Sequence, residues 1–109
     1  ISAMISVMDV IESDNIPNSY SLKQNFPNPF NPITTLKYGL PEDSFVSIII
    51  YNLKGNVINE LVNTKQSSGF HSISWNATNN LGQPVSAGMY IYTIQAGNFI
   101  ETRKMVLLK

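Results

Sequence analysis

The chain has 109 residues, seven basic and seven acidic, and is formally neutral at pH 7. That balance offers no basic footprint for nucleic acid. The lack of cysteine excludes a disulfide-stapled scaffold, thiol catalysis and cysteine-based metal sites.

Charged residues are 13% of the chain, against about 25% in typical domains. Ser, Thr and Asn take their place, as in many extracellular β-modules. The length suits one domain with an appendage. No apolar run approaches the roughly 20 residues that a membrane-spanning helix needs.

Residues 1–12 have β-like composition without a clean period. Ile1, Ala3, Ile5 and Val7 share one parity, and Met4, Met8 and Val10 the other. The segment reads three ways: a strand buried on both faces, the tail of a preceding domain, or an arm packed on a neighbour. It lacks a basic start and is broken by Asp9, so it is not a signal peptide. An exported parent would carry its signal upstream, and the first residue is not Met, as in a fragment or processed product. Residues 13–19 are polar, contain Pro17 and read as a linker. The boundaries expected are therefore 1–19 for an arm or linker and 20–109 for the domain.

The domain opens on Asn25-Phe26-Pro27-Asn28-Pro29-Phe30-Asn31-Pro32. Each proline fixes φ near −65° and removes a backbone donor, which excludes a helix or a central strand. An extended ribbon along a sheet edge is expected, with Phe26 and Phe30 seeking apolar contacts.

A regular series of strands follows. Residues 34–40 alternate, with Leu36, Tyr38 and Leu40 on one face. Residues 45–52 are rich in β-branched side chains; Val46, Ile48 and Ile50 face one way and Phe45, Ile49 and Tyr51 the other. Residues 57–63 form a strand after a turn at Gly55, and residues 64–68 a polar connection. Residues 69–75 set His71, Ile73 and Trp75 against Phe70, Ser72 and Ser74. A long loop leads to residues 89–96, where Tyr90, Tyr92 and Ile94 share a face. Gly97-Asn98 is a two-residue hairpin turn. Residues 99–108 close the chain, with apolar side chains on both parities, implying either a bulge near residues 102–104 or burial on both faces.

Short strands with turns every eight to twelve residues indicate an all-β fold, an antiparallel immunoglobulin/fibronectin-III-like β-sandwich of about seven strands. Tyr90 suits a tyrosine corner. Trp75, Tyr38, Tyr90, Tyr92 and either Phe45 or Phe70 are the large core candidates.

Catalytic signals are weak. His71 is the single histidine, and without a partner for base chemistry it reads as a hydrogen-bonded residue at the core edge. Glu42 and Asp43 are adjacent in a turn and point apart. Asn76, Asn79 and Asn80 lack the carboxylates that calcium prefers, and read as Asx-turns. No cofactor is expected.

Arg103, Lys104 and Lys109 form a basic end around Val106 and Leu108. Two readings compete: charges that protect an edge from aggregation, or a recognition signal paired by strand addition to a receptor. The outward stripe Phe45, Ile49 and Tyr51 is large for a free surface. It is the candidate interface, covered by residues 1–11, by a preceding domain, or by another copy in self-association.

From residue 20 to 109 the sequence resembles the type A C-terminal sorting domains of the type IX secretion system, and the related immunoglobulin-like domain of flagellar hook-capping proteins. The matching stretches are residues 25–32 with Thr34-Thr35-Leu36-Lys37-Tyr38, residues 46–55, residues 69–76, Gly82, Gly88-Met89-Tyr90, and residues 102–109. The basic-apolar ending in Lys109 favours the sorting domain. The chain departs from the pattern at Ala77, where the family usually has Gly. The resemblance implies a non-enzymatic module on an exported cargo protein of a Gram-negative bacterium. Outer-membrane secretion machinery would read Arg103, Lys104, Val106, Leu108 and Lys109, leaving the cargo secreted or at the cell surface. A structural assembly domain is the first alternative, and an adhesive or carbohydrate-binding module the second.

Overall fold

The computed structural model describes residues 16–108. Residues 1–15, which include the expected arm, and Lys109 lie outside the described residues. Seven strands run in order: β1 (Ser21–Leu22), β2 (Thr34–Leu40), β3 (Ser44–Asn52), β4 (Val57–Gln66), β5 (Gly69–Trp75), β6 (Gly88–Ala96) and β7 (Phe99–Leu107). They build two antiparallel sheets, β1-β2-β5 and β4-β3-β6-β7, the immunoglobulin-like sandwich that the sequence predicts.

Alternation sets the faces. Leu36, Tyr38 and Leu40 from β2 meet Val46, Ile48 and Ile50 from β3, and Tyr92, Ile94, Met105 and Leu107 from β6 and β7, all buried. Trp75 closes one end of the core, tilted on Phe30 at 5.7 Å and edge-on to Tyr90 at 5.5 Å. Offset or edge contacts of this kind favour the negative ring face of one partner meeting the positive rim of another. The Tyr90 hydroxyl donates to the Ser86 carbonyl at 2.6 Å, the bond that defines a tyrosine corner.

Three expectations need correction. The core phenylalanine is neither Phe45 nor Phe70, which are 59% and 61% exposed, but Phe30 of the ribbon, at 1%. The ribbon has no side-chain period, so its inward ring is set by backbone pairing instead. Next, β4 continues to Gln66, through what reads as a polar connection. Its backbone pairs with β3 while Asn63, Thr64 and Lys65 face solvent. Two register shifts opposite Ile48/Ile49 and Ile50/Tyr51 break its alternation, and make Val62 the buried residue. Finally, β7 has no bulge: it pairs with β6 without a shift from Phe99 to Leu107. Met105 and Leu107 face the core, Val106 is half-buried on the outer face, and Leu108 is exposed beyond the strand.

Ala77 stands at φ +60° and is buried. The left-handed conformation that glycine adopts freely is thus kept with a methyl group packed against the core, at a backbone cost of about 1–2 kcal/mol.

Candidate recognition surface

The ribbon positions the last strand. Lys23 and Phe26 pair with β2, Phe26 exchanging both backbone bonds with Thr35 at 3.0 Å. The chain then crosses to the other sheet, with cis X-Pro bonds at Phe26-Pro27 and Asn28-Pro29 before Phe30 and a third at Asn31-Pro32 after it. There Phe30 N–H donates to the Val106 carbonyl at 3.0 Å, and Leu108 N–H donates to the Phe30 carbonyl at 2.8 Å. Val106 N–H donates to Asn28 Oδ1 at 3.0 Å, and the Gln24 amide donates to the Lys104 carbonyl at 2.7 Å.

A buried polar cluster locks this crossing. Asn25 N–H donates to the Tyr92 hydroxyl at 2.7 Å, which donates in turn to the Lys23 carbonyl at 2.9 Å. The Asn25 amide reaches Thr34 Oγ1 at 3.0 Å and the Pro27 carbonyl at 3.2 Å, and Thr34 Oγ1 donates to that same carbonyl at 2.8 Å. Every bond satisfies a group that burial would otherwise penalise. Burial holds the Tyr92 phenol above its ordinary pKa, partly opposed by the Asn25 N–H and by Arg103. Burial raises Tyr38 likewise, partly opposed by its bond to Gln66.

The expected recognition residues separate into distinct roles. Arg103 points inward at the sheet edge: its Nε donates to the Leu22 carbonyl at 2.8 Å, and its guanidinium pairs with Glu101 at 2.7 Å. It ties β7 to β1. Lys104 is exposed, Val106 half-buried and Leu108 exposed. Lys109 lies outside the described residues. Strand addition along residues 104–108 is blocked at four outward backbone groups, the Lys104 carbonyl, the Val106 N–H and carbonyl and the Leu108 N–H, which already serve the ribbon. What this stretch offers is side chains.

Those side chains share a face with the expected interface. On the outer side of the four-stranded sheet, Val57, Tyr51, Ile91 and Lys104 stand in one cross-strand row, and Met89 pairs with Val106 in the next. Ile49 sits one row away, between Glu60 and Thr93. The stripe read at Phe45, Ile49 and Tyr51 therefore runs across β6 to the last strand. Sequence reasoning missed Ile91, Met89 and Val57; the first two are legible as the opposite parity of Tyr90, Tyr92 and Ile94.

The remaining candidates are spent internally. His71 Nε2 donates to the Ser67 carbonyl at 2.7 Å, and its ring stacks on Tyr38 at 5.4 Å. Asn79 Oδ1 accepts from Leu81 and Gln83 N–H, Asn80 Oδ1 from Glu60 N–H, and Asn76 Oδ1 from the Thr78 hydroxyl. Only the Asn79 bonds are of the expected Asx type; Asn80 ties the loop to β4 and Asn76 holds a neighbouring side chain. Phe45 and Tyr51 lie six residues apart on β3, about 20 Å, and form no aromatic platform.

Residues 33–98 match the FlgD Ig-like domain family, and the chain belongs to that family. Among curated proteins none matches this sequence. Solved structures with similar folds include three bacterial proteins. Dimeric latent PorU of Porphyromonas gingivalis is 20% identical, with a TM-score of 0.63 over 84% of this chain and 10% of PorU. PorZ of the same organism, an essential bacterial surface component of the type-IX secretion system, is 16% identical, with a TM-score of 0.55 over 84% of this chain and 12% of PorZ. FlgD from Xanthomonas campestris is 17% identical, with a TM-score of 0.56 over 90% of this chain and 73% of FlgD. The chain thus spans only about a tenth of the length of PorU or PorZ.

Proposed function

We propose that residues 20–109 form a non-catalytic sorting module that directs a larger exported protein through the type IX secretion system, for release or attachment at the cell surface. The observation that carries this reading is the last strand. It displays Lys104, Val106 and Leu108 outward on an edge that the ribbon holds rigid. In this reading Lys104 and Lys109 supply charge and Val106 and Leu108 supply apolar contact. Arg103 is a positioning residue, holding the strand to β1. The machinery docks side-on, across the Tyr51–Ile91–Val106 face, and residues 1–19 join the module to its cargo. Support comes from the resemblance of the ending to sorting domains, and from a fold shared with PorU and PorZ.

The family match favours a second reading, a structural domain that assembles with a scaffold as a hook-capping protein does. A secretion assay separates the two. Residues 1–109 are fused behind an inert periplasmic reporter in a type IX host, beside a Lys104→Glu/Val106→Ser/Leu108→Ser variant that spares Met105 and Leu107. With both shown to be folded, sorting predicts export of the first and periplasmic retention of the second. Equal export removes the recognition role of these side chains. Retention of both favours the assembly reading.

A further inference from the structure

The outer face of the three-stranded sheet lies opposite the recognition surface. Lys23 N–H donates to the Lys37 carbonyl at 2.9 Å, which extends the β1–β2 ladder one step beyond the Leu22↔Tyr38 pair. Lys23 and Lys37 are therefore direct cross-strand neighbours, and both are exposed. Like charges directly opposite one another destabilise a sheet. Beside them Phe26, paired with Thr35, is 79% exposed. These four residues and Gln24 line a cavity of about 380 Å³ with no carboxylate in its wall. Two ammonium groups without a carboxylate partner among the described residues, next to an exposed phenyl ring, suit an extended segment that is acidic and partly apolar.

The chain supplies such a segment close by. Residues 1–15 contain Asp9, Glu12 and Asp14 and no Lys or Arg, with Met8, Val10 and Ile11 among them. The entry point lies on this same face. Pro17 Cγ stands 3.0 Å from where a Cβ on Gly39 would lie, and Gly39 is the next outward position along β2 from Lys37. Lys37 is about 7 Å from Gly39 at the rise of a strand. Asp14, three residues before Pro17, has a reach of about 10 Å, and Glu12 about 17 Å.

We propose that residues 9–14 dock on the Lys23/Lys37/Phe26 cavity, their carboxylates meeting the two ammonium groups. The polypeptide entering the module is then strapped to its three-stranded face. This directs any preceding domain away from the four-stranded face and leaves that face open to a partner.

The test is zero-length carbodiimide cross-linking of the full chain at low micromolar concentration, with the linked peptides mapped by mass spectrometry. The expected product joins Lys23 or Lys37 to Asp9, Glu12 or Asp14 within one chain. Its yield should fall at least fivefold in 0.5 M salt, where screening shortens to about 4 Å. It should disappear in the Asp9→Asn/Glu12→Gln/Asp14→Asn variant, which leaves the described sandwich untouched. Failure of Lys23 and Lys37 to link, or links only to Glu42, Asp43 or Glu60, overturns the proposal. So does a product found only in a dimer, which would assign the cavity to a second copy.

Discussion

Along its inner edge β7 pairs with β6 from end to end, but its outer edge divides in two. From the Lys104 carbonyl to the Leu108 N–H the outward backbone groups are taken by Gln24, Asn28 and Phe30. From Phe99 to Arg103 the outer edge has no backbone partner among the described residues. On the outer face the sealed half carries Lys104, Val106 and Leu108, while the bare half carries Ile100 and Thr102. An edge strand presents a row of unpaired groups to any neighbour. In the sorting reading, the half that carries the proposed signal is sealed from the Lys104 carbonyl to the Leu108 N–H, and a partner reads side chains on a fixed frame.

The largest way to break this contrast is Phe30→Ala. It empties a buried site against Trp75 and removes the ring that anchors the ribbon beside β7; denaturant unfolding should show a loss of about 3–5 kcal/mol. Tyr92→Phe removes the acceptor of the buried Asn25 N–H, and should cost about 1–3 kcal/mol by the same measurement. The same tyrosine gives the contrast a pH signature. Phenols whose folded pKa lies above the unfolded value, near 10, hold their protons more tightly when folded. The stability they add is fully present below about pH 10, and is lost as pH rises through the folded values. Unfolding at pH 8 and pH 11 should show the loss, and Tyr92→Phe should lessen the slope. Asn28→Ala leaves Val106 N–H without its acceptor, at about 0.5–1.5 kcal/mol. On the bare half, Ile100→Thr should fall within about 0.5 kcal/mol of wild type.

The sandwich was legible because alternation and turn residues coincide. The bounds of β2 and β5 follow from their side chains alone. β4 was cut short because residues 64–66 carry no buried side chain, and only their backbone joins the ladder. The sealed edge was not legible. Its bonds link residues about 80 apart in sequence, one of them through the Asn28 side chain. The placement of Phe30 followed from the same bonds, so parity could only choose between Phe45 and Phe70. Of the recognition set, the exposure of Lys104 and Leu108 follows from the ladder, whereas Arg103 reads as a signal charge until its bond to Leu22 is seen.

Amide hydrogen exchange on the full chain tests most directly whether the last strand offers side chains rather than backbone. A sealed edge predicts that the Val106, Leu108 and Phe30 amides exchange together, near the rate set by global unfolding, while the Thr102 amide exchanges far faster. Val106 and Leu108 exchanging as fast as Thr102 would contradict it, and would return the edge to strand addition.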